Sequence, residues 1–297
     1  MKKNFIYFAT FTLLLVYSNA HATQPKIPEA EKNITIVILA KDKEHVLDLY
    51  LACIEHQTWP ASKTNLYIRT NNNNDNTVTI LREWIRRVGD RYAKIYFDDT
   101  DTETPVQKYK QHEWNSERFR VLAKIRQDSV QWAYEQNSHY FVADCDNFIK
   151  PYTIEALMDA HLPIVAPFLV TCNPPGSGIS SHRWYSNYHD NIDECGYLEL
   201  CDSYYKILRQ ETKGLLPLPV VHCTYFIRYE TLPEIAYNDG SNDYEYVIFS
   251  RNARKKKILQ YLDNRKIYGY LTFTETKESF SQEPWIEEIK QWLKERE

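Results

Sequence analysis

The chain has 297 residues, of which 43% are hydrophobic and 14% aromatic, and its formal net charge is −4. This composition is typical of a globular protein with one large domain, alone or with a small appendage, and it excludes a disordered or fibrous protein. The mild acidity gives no reason to expect nucleic acid as a partner.

The first 22 residues have the three parts of a signal peptide. A Lys-Lys pair follows the initial Met, Phe5–Tyr17 is apolar, and Ala20–Ala22 fits the small-residue rule for cleavage before Thr23. The apolar stretch is shorter than the ~20 residues that a membrane-spanning helix needs, and an uncleaved anchor is the alternative. We predict an exported protein, in the periplasm, outside the cell or in a host secretory lumen, with residues 23–297 as a single domain and no membrane span after cleavage.

Strands and helices alternate through the next part of the chain. Runs of β-branched and apolar residues predict buried strands, and apolar residues at helical spacing predict the helices between them. The predicted strands are Ile34–Ala40, Leu66–Arg69, Lys94–Phe97 and a run that begins at Tyr140, and the predicted helices are Glu44–His56, Asp75–Val88 with Asp75 as its cap, and Ser116–Gln136. This order predicts an α/β fold, a mostly parallel sheet flanked by helices.

The second half of the chain has a less regular pattern. A long segment rich in Gly, Ser, Asn and Tyr separates its elements, and segments of that length inside a domain are usually functional or mobile. The predicted elements are a helix over Thr153–His161, a strand over Pro163–Val170, the irregular segment Thr171–Leu216, a strand over Val220–Arg228, a helix over Tyr246–Leu262, and a C-terminal amphipathic helix over Pro284–Arg296, within about residues 280–297.

The predicted Tyr140 strand ends in two aspartates one residue apart, Asp144 and Asp146. Ligands of open α/β sheets bind at the carboxyl ends of the strands. Carboxylates suit Mg²⁺ or Mn²⁺, ions that keep positions open for substrate phosphates and neutralise a diphosphate leaving group. The pattern therefore favours a metal site of a nucleotide-sugar glycosyltransferase. The alternative is that Asp146-Asn147 caps the following turn.

Asp-x-Asp is a weak pattern by itself, because the chain has a second copy at Asp99-Thr100-Asp101. That copy opens a polar loop, so we interpret it as solvated surface. The six cysteines are compatible with disulfides in an exported protein, and Cys195 and Cys201 lie close enough in sequence to pair, although sequence does not assign partners. Their spacing does not indicate a zinc site.

Other candidate residues each have two interpretations. His222, in an apolar strand, is either a core residue or a contact to metal or substrate. Asp243 and Glu245 precede a helix, so either is a general base for an acceptor hydroxyl or a stabilising acid at the helix N-terminus. Arg118 and Lys124, on the helix before the Asp-x-Asp strand, either reach a diphosphate or form exposed salt bridges.

Several blocks occur in the same order as in a known family, and they span most of the chain from about Ile34 to Tyr270. These blocks are ILAKDKEH at 38–45, DNT at 75–77, Trp84 with VGD at 88–90, Trp114 with ER at 117–118, ADCDN at 143–147, LPIVAP at 162–167, YSNY at 185–188, PVVH at 219–222 and YGY at 268–270. On these residues the chain resembles the N-terminal glycosyltransferase domain of the collagen β-galactosyltransferases and of their cell-adhesion relative in cerebral endothelium.

The resemblance implies a GT-A-like fold, a UDP-sugar donor, Mn²⁺ or Mg²⁺, and transfer of galactose to hydroxylysine of collagen. It places the metal at Asp144, Asp146 and His222, donor contacts at Asp144, Arg118, Asp75 and Asn71, and the base at Glu245 or Asp243. The chain departs from the family in having Thr70-Asn71-Asn72-Asn73 where the family tends to have Thr-Asp-His-Asn, and in having Asp243-Tyr244-Glu245 instead of adjacent aspartates. Family enzymes also carry a second glycosyltransferase half.

We therefore predict a metal-dependent, inverting glycosyltransferase that moves a hexose from a UDP-sugar to a hydroxyl group of a protein acceptor, collagen-like or other. The alternative is an inactive adhesion or binding module on the same fold, because a fold does not fix a function.

Overall fold

The computed structural model describes residues 32–104, 106, 109, 113–171 and 185–294. The predicted signal peptide and part of the predicted irregular segment lie outside these ranges. Within them, the strands are β1 (Ile34–Ala40), β2 (Thr64–Thr70), β3 (Lys94–Asp98), β4 (His139–Ala143), β5 (Asn147–Ile149), β6 (Ile164–Pro167), β7 (Leu169–Thr171), β8 (Tyr188–His189), β9 (Leu215–Leu218), β10 (Val220–Val221), β11 (Thr224–Ile227), β12 (Gln260–Asp263) and β13 (Gly269–Leu271).

The helices of the described residues lie between these strands and at the C-terminal end. They are α1 (Leu47–Glu55), α2 (Thr77–Val88), α3 (Ser116–Glu135), α4 (Thr153–Asp159), α5 (Asp202–Leu208), α6 (Glu245–Lys255), α7 (Lys277–Ser281) and α8 (Ile286–Lys294). None of the helices in the described ranges has both the length and the apolarity that crossing a bilayer requires.

The central sheet has eight strands in the order β3-β2-β1-β4-β11-β6-β12-β9. The first four run parallel, as their alternation with helices predicted. Strand β11 is antiparallel to both β4 and β6, and β9 is antiparallel to β12. The sheet is therefore mostly parallel, and its mixed half comes from the C-terminal part of the chain.

Side chains of the sheet pack into two apolar layers, one on each face. In β1, Ile34, Ile36 and Ile38 belong to one layer and Val37 belongs to the other, and all four are at most 2% exposed. A strand covered on both faces has no polar side, which explains the continuous apolar run in the sequence.

Three elements predicted for the second half of the chain are wrong, because each is interrupted where the backbone changes direction. Pro163–Val170 is two strands, because Phe168 separates β6 of the central sheet from β7, which pairs with β13. Val220–Arg228 divides into β10 and β11 around Cys223, whose φ is 62°. The helix predicted to reach Leu262 ends at Lys255; Lys257 follows with a φ of 58°, and the chain then enters β12.

Parts of the predicted irregular segment are also ordered. Its described residues include β8, α5 and the first half of β9, which are too short to give a periodic signal in the sequence. The five cysteines within the described ranges, including Cys195 and Cys201, are all free thiols.

Candidate functional site

A cleft of about 940 Å³ opens where the parallel strands of the sheet end. The loops that follow β1 and β2 are joined to each other along its rim. The backbone N–H of Asp42 donates to Asn73 Oδ1 at 2.9 Å, and the N–H of Glu44 donates to Asp75 Oδ2 at 3.0 Å. The polar residues after each strand thus fix the position of the rim.

Asp144 and Asp146 both line this cleft, directly after β4. The backbone N–H of Asp144 donates to the carbonyl of Cys223 at 3.0 Å, and the carbonyl of Asp146 accepts from Thr272 N–H at 3.0 Å. Between the aspartates, Cys145 is 1% exposed and its thiol donates to the Leu39 carbonyl at 3.4 Å. The intervening residue therefore anchors the loop while the two carboxylates border the cleft.

Two basic side chains pair with the aspartates. Lys43 Nζ lies 2.8 Å from Asp146 Oδ2, and Arg126 Nη2 lies 2.9 Å from Asp144 Oδ1. Arg126 Nε also lies 3.2 Å from Glu245 Oε1. We call these five residues, Lys43, Arg126, Asp144, Asp146 and Glu245, the charged floor. Three acidic and two basic side chains leave one negative charge unbalanced when all five are ionised.

Burial changes the acidity of the charged floor. Desolvation raises the pKa of Asp144, and the nearby charge of Asp146 raises it further, against the opposing effect of Arg126. Desolvation also raises the pKa of Glu245, with Arg126 again opposing and Asp144 adding to the rise. These two carboxyl groups therefore hold a proton more strongly than exposed ones, a property that general bases share.

Arg126 was not predicted from the sequence. It is 4% exposed, and although desolvation lowers its pKa, attraction by Asp144 and Glu245 outweighs this and holds the pKa well above its ordinary value. A signal was present, because Arg126 shares the buried face of α3 with Ala123, Val130 and Ala133. A cation on an apolar helix face needs a buried partner.

The structure separates the two candidate bases. Glu245 is 5% exposed and lines the cleft. Asp243 is not among the residues that line it, and its carboxylate pairs with Arg251 Nη1 at 2.8 Å and accepts from Tyr197 OH at 3.1 Å. Burial acts to raise the pKa of Asp243, but hydrogen bonds from Arg251 and Tyr197 outweigh it and the pKa is lowered. Of the two carboxylates, only Glu245 both lines the cleft and has a raised pKa, as a general base requires.

His222 lines the cleft but is only 2% exposed. Its Nδ1 lies 2.9 Å from Cys223 Sγ, and its Nε2 is buried with no hydrogen-bond partner among the described residues. Desolvation, together with the nearby His189 and Arg126, lowers the pKa of His222 well below the ordinary histidine value. The imidazole is therefore neutral at physiological pH.

The predicted donor contacts divide between the cleft and a smaller cavity beside it. Asp75 and Arg118 line the cleft, and the Arg118 guanidinium lies 4.4 Å from the centre of the Trp114 ring. Asn71 lines the smaller cavity, of about 120 Å³, to which Trp114 and Arg118 also contribute. Asp75 Oδ1 also accepts from Thr77 N–H at 3.0 Å, but α2 begins at Thr77 and its N-cap residue is Asn76, so the predicted cap is one residue too early.

Two weaker candidates lie on the surface. Lys124 is paired with Asp128 at 2.6 Å and its side chain is 75% exposed, so it forms the exposed salt bridge that was its alternative interpretation. In the second Asp-x-Asp copy, Asp99 pairs with Arg82 at 2.5 Å and Asp101 is exposed. This copy lies at the surface, as predicted.

The charged floor has the donor chemistry for a divalent cation. The carboxylates of Asp144 and Asp146 border the same cleft, and the floor carries one unbalanced negative charge. No three His, Cys, Asp or Glu side chains in the described ranges converge closely enough to hold a metal ion, so His222 does not complete a preformed set with the two aspartates. Mg²⁺ and Mn²⁺ accept one or two carboxylates when substrate phosphates and water supply the other ligands. The residues present thus fit an ion shared with a phosphate ligand, and a metal role for His222 stays a prediction.

Comparison with known proteins supports the resemblance seen in the sequence. A family model described as "Glycosyltransferase family 25, N-terminal domain" matches residues 31–292. Procollagen galactosyltransferase 2 of Mus musculus is 30% identical over 257 residues, which cover 83% of this chain and 40% of the relative. The probable inactive glycosyltransferase 25 family member 3 of Bos taurus is 27% identical over 263 residues, 85% of this chain and 42% of the relative. The chain therefore spans about 40% of the length of the curated relatives it matches.

Solved structures share the fold. Residues 1–349 of TarS from S. aureus superpose with a TM-score of 0.50 at 13% identity, over 81% of this chain and 60% of that chain. The same protein in complex with UDP-GlcNAc gives a TM-score of 0.50 at 14% identity, over 82% of this chain and 59% of that chain. Identity this low shows the fold alone, and the predicted GT-A-like fold is confirmed.

Proposed function

The chain belongs to glycosyltransferase family 25, because residues 31–292 match the N-terminal domain of that family, and from this premise we propose that it transfers a hexose, with galactose as the precedent of its relatives, from a UDP-sugar to a hydroxyl group of a protein acceptor. The observation that carries the proposal is the charged floor. In it, the single guanidinium of Arg126 joins Asp144 to the cleft-lining base candidate Glu245, and Lys43 pairs with Asp146 on the same cleft.

The metal-binding part of the proposal rests on the two aspartates. Asp144 and Asp146 would hold Mn²⁺ or Mg²⁺, and the ion would neutralise the charge that develops on the diphosphate as it leaves. Lys43, now 2.8 Å from Asp146, is placed to assist with the same charge once the cation competes for that carboxylate.

The nucleoside part of the donor would occupy the smaller cavity. This cavity adjoins the cleft, and Trp114 and Arg118 line both. A nucleoside in the smaller cavity would place its diphosphate toward the charged floor, with Asn71 at the nucleoside end. Arg118, which lines both cavities, would contact the donor between its nucleoside and its diphosphate. Asp75 would contact the donor from the rim of the cleft.

Glu245 would act as the general base. In a direct displacement, the acceptor oxygen forms a bond to the anomeric carbon while the bond from that carbon to the diphosphate oxygen breaks, and the acceptor proton passes to Glu245. This single displacement inverts the anomeric configuration. The raised pKa of Glu245 improves its match to the proton it removes.

The acceptor and the compartment are proposed from the relatives and the N-terminus. Because relatives are named procollagen galactosyltransferases, hydroxylysine in a collagen-like sequence is the first acceptor to test. We further propose that residues 1–22 direct export and that residues 23–297 form one catalytic domain.

The second candidate function is an inactive binding module. It is favoured by one specific observation, namely that relatives from Bos taurus and Mus musculus are named as inactive or probably inactive family members. Such a module would bind a ligand in the cleft without turnover.

Release of UDP tests the two functions. Residues 23–297 are incubated with UDP-galactose, UDP-glucose or UDP-GlcNAc, with a hydroxylysine-containing collagen-like peptide, and with Mn²⁺ or EDTA. The proposal expects UDP release that needs both the metal and the peptide. Binding of UDP with no turnover on any donor would favour the inactive module, and neither binding nor turnover would contradict both.

A further inference from the structure

Six aromatic rings form a continuous series along the cleft. The centres of neighbouring rings are 4.4 Å apart for Phe273 and Tyr185, 5.5 Å for Tyr185 and His222, and 4.8 Å for His222 and Tyr246. The series continues at 5.5 Å from Tyr246 to Tyr244 and at 6.2 Å from Tyr244 to Trp114. All six residues, Phe273, Tyr185, His222, Tyr246, Tyr244 and Trp114, line the cleft, and we call them the aromatic arc.

His222, in the middle of the arc, has an unused polar atom. Edge-to-face contacts with Tyr185 and His189 and a tilted contact with Tyr246 hold its ring. Its Nε2 has no partner among the described residues. A buried polar atom without a partner is costly, and a ligand that pairs with it removes the cost. A hydroxyl group can do this whichever ring nitrogen carries the proton, because a hydroxyl both donates and accepts.

The arc borders the place where the reacting sugar must lie. The carbonyl of Cys223, next to His222, accepts from the backbone N–H of Asp144 at 3.0 Å. Tyr246 directly follows Glu245 at the start of α6. A hexose attached to a diphosphate at Asp144, with its anomeric carbon within reach of an acceptor activated by Glu245, would therefore lie against the centre of the arc.

We propose that the aromatic arc is the subsite for the hexose of the donor, and that His222 is its specificity-determining residue, with Nε2 hydrogen-bonded to a hydroxyl of that hexose. The rings offer flat apolar faces to the C–H face of a pyranose, and the phenol groups offer further hydroxyl partners. This inference rests on the proposed function, and it gives His222 a contact with sugar in place of one with metal.

The test compares binding of UDP-galactose and of UDP, both with Mn²⁺, to wild type and three variants. His222→Phe keeps a ring and removes Nε2, so it should bind UDP-galactose roughly tenfold more weakly while UDP binding stays within about twofold. His222→Gln returns an amide near the position of Nε2 and should recover part of the loss. His189→Phe is the matched control, because His189 touches the His222 ring but does not line the cleft; it should leave both affinities within about twofold.

The outcomes separate this inference from the proposed function. Equal weakening of UDP and UDP-galactose in His222→Phe, or a loss of Mn²⁺ affinity without nucleotide, would overturn the sugar contact and favour a metal ligand. Unchanged UDP-galactose binding would also overturn it. If His222→Phe does not fold, His222→Gln is compared with wild type. A loss of affinity for UDP-galactose alone supports the sugar contact. An equal loss of affinity for UDP and UDP-galactose, as expected of a purely structural histidine, overturns it. Wild type that binds neither compound would contradict the proposed function itself.

Discussion

The cleft has two surfaces of different chemistry. The charged floor contains five ionisable side chains, and two of its three ion pairs, Lys43 with Asp146 and Arg126 with Glu245, link residues more than 100 positions apart in sequence. The aromatic arc carries no formal charge, since His222 is neutral, and is held by ring contacts. The contrast supports two binding roles, in which the floor binds the diphosphate and the metal and the arc binds the sugar. Changes to the floor should therefore be severe and general, and changes at the centre of the arc, around His222, mild and specific to the sugar. Trp114, at one end of the arc, also lines the smaller cavity proposed for the nucleoside, so its change should affect UDP binding.

The largest effect should follow removal of both aspartates of the floor. Asp144→Asn with Asp146→Asn should lower metal-dependent UDP release about 10³-fold, because the ion that neutralises the leaving diphosphate loses its protein ligands. The matched control is Asp99→Asn with Asp101→Asn, the surface copy of the same pattern, which should retain activity within about twofold. Equal loss in both double variants would remove the distinction between floor and surface.

Removal of the central cation of the floor should be the next largest effect. Arg126→Met leaves Asp144 and Glu245 without their shared partner and should lower the free energy of unfolding by about 3 kcal/mol, measured by urea denaturation. Arg118→Met, a more exposed arginine of the same helix, should lower it by less than about 1 kcal/mol. Similar losses of unfolding free energy in the two variants would show that the buried ion pairs of Arg126 contribute no more to stability than the contacts of Arg118.

The loss of unfolding free energy in Arg126→Met, called the deficit below, should also depend on pH. Asp144 and Glu245 have raised pKa values when folded, so their protonated forms favour the folded state at acidic pH. Stability from this source is present at low pH and is lost as pH rises through the folded-state pKa. Without Arg126 the two pKa values rise further. The deficit should therefore be larger at neutral pH than in acid, and a deficit independent of pH would contradict this electrostatic explanation.

The two candidate bases give a smaller and more selective effect. Glu245→Gln should lower transfer about 10²-fold while UDP affinity is retained, because only the proton acceptor is lost. Wild-type activity should fall on acidification with a midpoint above the ordinary glutamate pKa, because burial raises the pKa of Glu245. Asp243→Asn, outside the cleft, should keep transfer within about threefold. A greater loss in Asp243→Asn than in Glu245→Gln would reverse the assignment.

The smallest effect should come from the end of the arc. Trp114 holds the Arg118 guanidinium 4.4 Å from its ring centre and lines both cavities. Trp114→Leu should weaken UDP binding roughly threefold, the scale of one cation–π contact. Trp132→Leu, which changes a ring packed on Tyr67 away from the cleft, is the control and should leave binding unchanged. Unchanged UDP binding in Trp114→Leu, or an equal loss in Trp132→Leu, would contradict this role of Trp114.

The part of the fold that was predictable is the part in which neighbours in sequence are neighbours in space. Strands β1 to β4 alternate with helices and each carries a run of at least three apolar or aromatic residues, so their type and direction follow from local pattern. The second half was mispredicted because its strands are short and find distant partners. Strand β12, read as the end of a helix, pairs with β6 and β9. No local period records such pairing.

The candidate site was predictable to a similar degree. Asp144 and Asp146 could be predicted because they follow directly on an apolar run that predicts a buried strand. Arg126 is harder to single out, since α3 carries several basic residues and its only sequence signal is its helical spacing from Ala123, Val130 and Ala133. Lys43 was also missed, because its partner Asp146 is more than 100 positions away in the chain. The choice between Asp243 and Glu245 needed the structure, which places one in the cleft and pairs the other with Arg251.

The central claim is that the two aspartates bind a metal ion together with a diphosphate. Electron paramagnetic resonance of free Mn²⁺ tests it directly, since bound Mn²⁺ loses the free-ion signal. We predict weak uptake of Mn²⁺ by the protein alone, much stronger uptake when UDP is added, and loss of that increase in Asp146→Asn. Uptake that is equally strong without UDP, or that survives in Asp146→Asn, would contradict the claim.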